Sequence, residues 1–197
     1  AYWPLNLNVK DVGGHYDGTA TLITYQTGKF NQAAYFDGGD PTGSFIQTTF
    51  NSLYNNFSIS IWFNGPLDAN RLLYTTTDNW LNDVGSFIYI YSTGGLGVVF
   101  AQSGGGKCYE YIAPTSTLTA DTWHHIVITQ NTSGTATTYL DGIQLNQQTG
   151  GTVMNGQTNN LKLGSYSAYT NDRWKGLMEQ VRIYNSELSL TDVQDIY

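Results

Sequence analysis

The chain has 197 residues, of which 40% are hydrophobic and only 12% charged, and its net charge is −7 with 8 Lys plus Arg against 15 Asp plus Glu. So few basic residues argue against nucleic-acid binding and against binding to anionic membrane surfaces, because both depend on Lys and Arg. No apolar run approaches the roughly 20 residues of a membrane helix, so no membrane insertion is expected, and the single cysteine, Cys108, excludes an internal disulfide.

Most of the chain consists of short runs that alternate apolar and polar residues between turn signals, which is typical of β-strands. In FSISIWF (57–63), Phe and Ile occupy every odd position. Asp141-Gly142 separates two alternating runs and predicts a two-residue hairpin turn. On the order of a dozen strands predict an all-β fold, an antiparallel two-sheet β-sandwich. Other clear strands are SFIYIY (86–91), HHIVIT (124–129) and TTYL (137–140).

The last nine residues, SLTDVQDIY, predict one short C-terminal helix. Ser189 can cap this helix, with Asp192 at the third helical position. Val193 and Ile196 are spaced to share one face, which can dock on the sandwich. No segment repeats at a fixed period and no linker divides the chain, so we expect a single domain over residues 1–197.

An acidic residue interrupts the apolar pattern of the last predicted strand. In KGLMEQVRIY (175–184), Glu179 has the same parity as Leu177, Val181 and Ile183. A buried carboxylate is costly unless it is paired, bound to metal or protonated. Either the strand leaves the core at its start, or Glu179 has a partner there.

Four stretches together resemble the laminin-G-like, concanavalin-A-like jelly-roll family of extracellular proteins. The resemblance covers almost the whole chain and implies two stacked antiparallel sheets, one concave and one convex. It also implies binding of glycans, proteins or cells, although some relatives are glucanases. The stretches are AYWPLN at the start, AAYFDG (33–38), TWHHIVIT with YLDGIQL (122–145), and the segment from LKLG to the last residue (161–197).

The acidic residues argue against the catalytic pattern of the glucanase relatives. Glycosidases need two carboxyl groups flanking the bond, and those relatives carry them as Glu-x-Asp-x-x-Glu on one strand face. None of the fifteen acids here stands two residues from another. His124 and His125 are adjacent, so on a strand they point to opposite faces and cannot share a ligand. We therefore expect no enzymatic activity.

The resemblance also implies a possible structural calcium ion at the sandwich edge. Glu179 stands where the family usually carries an acid, and Asp17 and Asp37 are the expected co-ligands, since calcium prefers carboxylate and carbonyl oxygens. The alternative is a hydrogen bond or ion pair for Glu179, with Arg173 or Arg182 as candidate partners.

Aromatic residues mark the candidate ligand-binding surface. Tyr89 and Tyr91 share one face of a predicted strand, and Tyr109 and Tyr111 share one face of another, so both pairs point outward if the isoleucines between and beside them face the core. The alternative is cross-strand aromatic pairing that stabilises the sheet. Loop candidates for ligand contact are Trp80, Tyr166, Tyr169 and Asn171.

Together these features favour a non-catalytic, lectin-like module that binds carbohydrate or a cell-surface ligand. No leader pattern precedes AYWPLN, so we expect a mature form or excised domain of a larger extracellular, cell-surface or virion protein, through which it could oligomerise. The alternative is a structural or protein-interaction domain of a phage tail, capsid or adhesin protein. A glycan-active enzyme is the third possibility.

Overall fold

A computed structural model describes residues 1–39, 43–77, 83–102, 106–157, 159–165 and 172–197. Within these residues fifteen β-strands precede one short helix. The strands are β1 (Tyr2–Trp3), β2 (Gly18–Thr21), β3 (Thr24–Thr27), β4 (Gln32–Asp37), β5 (Phe45–Thr48), β6 (Phe57–Asn64), β7 (Arg71–Thr75), β8 (Gly85–Ile90), β9 (Leu96–Gln102), β10 (Gly106–Ile112), β11 (His124–Gln130), β12 (Ala136–Leu140), β13 (Ile143–Gln148), β14 (Lys162–Leu163) and β15 (Lys175–Tyr184), followed by α1 (Leu190–Asp195).

The strands form two antiparallel sheets, which confirms the predicted sandwich. The eight-stranded sheet has the order β13-β12-β11-β6-β15-β4-β3, with β1 paired to β15. The seven-stranded sheet has the order β10-β9-β8-β7-β14-β5-β2. Sequence neighbours such as β8, β9 and β10 pair directly, whereas the two-residue strand β14 lies between β7 and β5.

The period of two in the sequence places the core between the sheets. The odd residues of β6, from Phe57 to Phe63, all belong to one large cluster of buried apolar side chains. Ile88 and Ile90 of β8 belong to the same cluster, as do Ile126 and Ile128 of β11. Both sheets therefore contribute alternate residues to one core, as expected for aligned sandwiches.

The helix α1 covers part of the outer face of the eight-stranded sheet. Ser189 accepts a hydrogen bond from the Asp192 amide and the Asp192 side chain accepts one from the Ser189 amide, so the predicted capping box is confirmed. Val193 is fully buried and packs with Val127 and Tyr139. Within the described part of the chain, no helix is long and apolar enough to cross a membrane.

Candidate ligand-binding groove

The outer face of the seven-stranded sheet carries a groove along β8, β9 and β10. The strand register aligns Phe87 with Val99 and Glu110, and Tyr89 with Gly97 and Ile112. The groove has a volume of about 230 Å³, and we call it the aromatic groove. Its lining consists of Phe87, Tyr89, Tyr91, Gly97, Val99, Lys107, Glu110 and Ile112.

The ring of Tyr91 lies against a glycine in the floor of this groove. A Cβ atom on Gly97 would be 3.1 Å from the Tyr91 hydroxyl oxygen and 3.3 Å from its Cε2 atom. Carbon atoms normally approach to about 3.5–4.0 Å. A methyl group at position 97 would therefore push the Tyr91 ring away from β9 by a few tenths of an ångström, and a strand glycine often marks such a close approach.

Tyr89 and Tyr91 form an edge-to-face pair, with ring centroids 5.2 Å apart and planes inclined at 62°. Burial raises the pKa of Tyr89, and the nearby Asp172 carboxylate raises it further. Burial also raises the pKa of Tyr91, and the Glu110 charge adds to this effect. Both phenols therefore stay protonated at neutral pH, where each hydroxyl can donate and accept a hydrogen bond.

An ion pair borders the open side of the groove. The Lys107 ammonium contacts the Glu110 carboxylate, and both side chains are more than a third exposed. Ile112, 57% exposed, follows on the same face of β10. The groove thus combines apolar ring surface with charged and hydroxyl groups at its border, which is the usual composition of a small-ligand site.

The prediction that Tyr109 and Tyr111 face outward is wrong. The prediction assumed that Ile112 faces the core, but Ile112 is 57% exposed. A β-bulge between Lys107 and Tyr109 also puts these two residues on opposite faces despite their shared parity. Tyr109 is only 2% exposed, its hydroxyl is 2.8 Å from Thr138 Oγ1, and Tyr111 packs against the core. Glu110 was the available signal, since a charged residue between two tyrosines favours the solvent face for itself and the core for its neighbours.

The structure brings Tyr89 and Tyr91 together on one face, as predicted. The four loop residues predicted to contact a ligand fall in other parts of the chain. Trp80, Tyr166, Tyr169 and Asn171 lie outside the described residues. The sequence analysis did not identify Gly97 as the residue that the Tyr91 ring packs on. The only signal for this contact was a glycine inside an apolar strand. Val99 and Glu110 were not identified either.

The carboxylates predicted to bind calcium do not share a site. Asp37 lies opposite Lys175 and Glu179 opposite Trp62, so about 13 Å of strand separates their positions. Asp17 contacts the Lys10 ammonium at 2.6 Å. No group of three or more His, Cys, Asp or Glu side chains in the described ranges is arranged to hold a metal ion.

These carboxylates already accept hydrogen bonds from the protein. Asp37 Oδ1 accepts from the Gly39 amide (3.0 Å) and from the amide and hydroxyl of Ser44 (both 2.9 Å). Glu179 Oε1 accepts from the backbone amides of Lys29 (2.7 Å) and Phe30 (3.2 Å). These hydrogen bonds engage one oxygen of each carboxylate, Asp37 Oδ1 and Glu179 Oε1, and the strand separation of the two groups keeps them from binding one calcium ion together.

The two adjacent histidines point to different faces, as their parity predicts. His124 Nδ1 lies 2.8 Å from Asp141 Oδ2, and His125 Nε2 lies 2.8 Å from Ser60 Oγ. Burial, followed by the charge of Arg182, lowers the pKa of His125 to about 4. His125 is therefore neutral at pH 7, and its ring stacks on Trp62 with centroids 4.7 Å apart.

A family model described as the concanavalin A-like lectin/glucanases superfamily matches residues 37–194. The chain belongs to this superfamily. The resemblance seen in the sequence is thereby confirmed, and it accounts for the paired sheets that carry the aromatic groove. No curated protein matches the sequence of this superfamily member.

Solved structures with the same fold are distant in sequence. Domain 4 of AbnA, a GH43 extracellular arabinanase from Geobacillus stearothermophilus in complex with arabinotriose, is 20% identical, with a TM-score of 0.77 over 100% of this chain and 96% of that domain. The binding domain of Paraclostridial Mosquitocidal Protein 1 is 17% identical, with a TM-score of 0.77 over 95% of this chain and 48% of that one. The receptor binding domain of botulinum neurotoxin D is 13% identical, with a TM-score of 0.72 over 93% and 48%. At these identities the likeness shows the fold alone.

Proposed function

We propose that this superfamily member is a non-catalytic module that binds a carbohydrate or cell-surface glycan through the aromatic groove. The observation that carries the proposal is the packing of the Tyr91 ring on Gly97, next to the ring of Tyr89. Such a fixed ring offers an apolar face to a sugar ring at little cost in side-chain entropy, because the ring is already held in place.

The surroundings of these rings support a glycan rather than a purely apolar ligand. Tyr91, Lys107 and Glu110, whose side chains carry hydroxyl and charged groups, line the same space as the apolar rings. A sugar carries hydroxyls that can pair with these groups, whereas an apolar ligand would desolvate them without compensation.

The similar structures support the same proposal. Domain 4 of the arabinanase was solved with arabinotriose, and the other two are named as binding or receptor binding domains. They are parts of larger proteins, and the arabinanase is extracellular. The present chain would accordingly serve as a binding module of a larger secreted or surface protein. Among the lining residues that the structure describes, Glu110, paired with Lys107, is the only carboxylate, which favours binding over glycoside hydrolysis.

The first test is a glycan-array screen of the 197-residue chain, followed by titration calorimetry with the best hit. We expect Tyr91→Ala to weaken binding at least about ten-fold, equivalent to about 1.4 kcal/mol. Gly97→Ala should act in the same direction, since the added methyl group displaces the Tyr91 ring. Gly106→Ala is the matched control, because its Cβ would lie 3.6 Å from the nearest atoms, which belong to the Gln102 side chain.

Equal glycan affinity of Gly97→Ala and Gly106→Ala would contradict the proposal that the glycan binds in the aromatic groove. The absence of any hit on the array would favour the second candidate, a structural or protein-interaction domain, and the next measurement would be the mass of the protein in solution.

A further inference from the structure

A second pocket lies at one end of the sandwich, and none of its described lining residues belongs to the aromatic groove. It has a volume of about 450 Å³, within the range of pockets that hold small ligands. Four parts of the chain form it, namely Ala1, Tyr16 before β2, the segment that leads into β6 (50–57), and Asn185 with the end of β15. We call it the end pocket.

Aromatic rings form the apolar side of the end pocket. Tyr16 packs edge-to-face on the buried Phe50, with ring centroids 5.0 Å apart. Tyr54 is 59% exposed although it borders the cavity. A large exposed ring beside a cavity is a common feature of binding sites, and Tyr54 can contact a ligand without any rearrangement of the core.

Neutral polar side chains complete the lining. Asn56, Asn185 and Ser52 supply amide and hydroxyl groups. The Asn56 amide is oriented by the hydrogen bond that its Oδ1 accepts from the Glu187 amide at 2.8 Å. The Ala1 amino group, which also borders the pocket, donates to the Ile183 carbonyl oxygen at 3.0 Å. The part of the lining that the structure describes includes no Lys, Arg, His, Asp or Glu side chain.

We propose that the end pocket is a second glycan-binding site, which accepts one unit of a neutral sugar. Rings on one side and neutral amides and hydroxyls on the other match the apolar face and the hydroxyl rim of such a sugar. A charged sugar would meet no oppositely charged side chain among the described lining residues, and an apolar side chain of a partner protein would leave the amides unpaired. With the aromatic groove, the module would be bivalent, and two sites on one module raise avidity for a surface that displays many glycans.

The test is a titration of the ¹⁵N-labelled 197-residue chain, followed by amide chemical shifts, with arabinotriose, maltotriose and lactose as separate neutral probes. We expect at least one of these probes to shift the amides of residues 50–57 and 183–185 in a saturable way. Tyr54→Ala should weaken this response at least ten-fold, which corresponds to about 1.4 kcal/mol. Tyr54→Phe keeps the ring and should retain it.

The groove variant Tyr91→Ala separates this proposal from the proposed function, since it should leave the end-pocket response unchanged. Amides of residues 87–99 and 106–112 report the aromatic groove in the same spectra. The end-pocket proposal is overturned if none of the probes shifts residues 50–57 and 183–185, or if the response survives in Tyr54→Ala. A response to phenylalaninamide alone would also overturn it and would indicate a peptide-binding pocket instead.

Discussion

The carboxylate of Glu179 is held by a turn of the backbone. Its Oε1 accepts the amides of Lys29 and Phe30, which belong to the turn between β3 and β4. A Cβ on Gly28 would lie 2.6 Å from Glu179 Oε2, so the turn can approach the carboxylate only because Gly28 has no side chain. Of the partners considered from the sequence, it is therefore hydrogen-bond donors, and not an arginine, that compensate the buried Glu179 carboxylate. Arg182 instead donates to Gln180 Oε1, and Arg173 donates to the Gly43 carbonyl oxygen.

We expect the stability of the protein to depend on pH through Glu179. Burial raises the pKa of this group, and the amide donors oppose that effect only in part. The native state therefore binds more protons than the unfolded state between the unfolded and folded pKa values, and the free energy of unfolding falls as the pH rises through that window. Urea denaturation from about pH 4, near the ordinary pKa of a glutamate, up to neutrality should show this fall in the wild type but not in Glu179→Gln.

Glu179→Ala provides the complementary test, because it leaves the amides of Lys29 and Phe30 without an acceptor. Leaving a buried donor unsatisfied costs about 1–3 kcal/mol. Because these two amides are only partly buried, we expect a loss of about 1–3 kcal/mol in total near pH 4, and a smaller loss toward neutrality, where the wild type is itself less stable. The same pH slope in the wild type and in Glu179→Gln would show that Glu179 does not titrate in the way that its burial implies.

At the scale of single elements, β-bulges interrupt the strand parity in β15 and in β10. In β15 the register shifts between Glu179 and Arg182, where Gln180 has a φ of 54°. Glu179 therefore shares the outer face of its sheet with Trp62, while Val181 and Ile183 face the core. In β10 the bulge at Cys108 turns Tyr109 inward.

The sequence does not mark either bulge clearly. Alternation is preserved on both sides of each bulge, so a parity count from one end of the strand assigns the wrong face after it. The backbone donors of Glu179 could not be predicted from the sequence either, since they lie 149 and 150 positions away along the chain. In contrast, the alternation of β6 is regular from Phe57 to Phe63, and that of β8 is regular from Phe87 to Ile90. The inward and outward faces of these two strands were therefore predicted correctly.

The docking of α1 should depend mainly on Val193, beside which Ile196 at the end of the helix packs on the same cluster. Val193 is fully buried, whereas Leu190 is 43% exposed. Val193→Ala should lower the free energy of unfolding by about 1–3 kcal/mol, because a buried apolar side chain is removed. Leu190→Ala is the matched control in the same helix and should change it by less than about 0.5 kcal/mol.

Both variants can be measured by urea denaturation at one pH. Similar losses in Val193→Ala and Leu190→Ala would mean that α1 contributes through helix formation only and does not pack on Val127 and Tyr139.

At the scale of the whole molecule, the two outer faces of the sandwich differ. The eight-stranded sheet is covered by α1 and by the turn of residues 28–31, under which Trp62 stacks with His125 and Tyr197. The seven-stranded sheet carries the aromatic groove instead. Alternation and turn signals could predict the strands and the sandwich. They could not predict the strand order, because a two-residue strand such as β14 has no periodic pattern of its own.

Calcium dependence is a property of the whole molecule and can be tested by thermal unfolding. A ligand that binds only the native state adds about 2.7 kcal/mol at 100 times its Kd, which raises the melting temperature of a domain of this size by several degrees, at roughly 2–4 °C per kcal/mol. Since Asp17, Asp37 and Glu179 lie apart and are engaged by the protein's own donors, we expect the same melting temperature in excess calcium and in EDTA. A higher value in calcium would show a site built from other ligands or from Asp37 with residues near it. Asp37→Asn would then decide between these, because it should abolish the calcium effect only if Asp37 is a ligand.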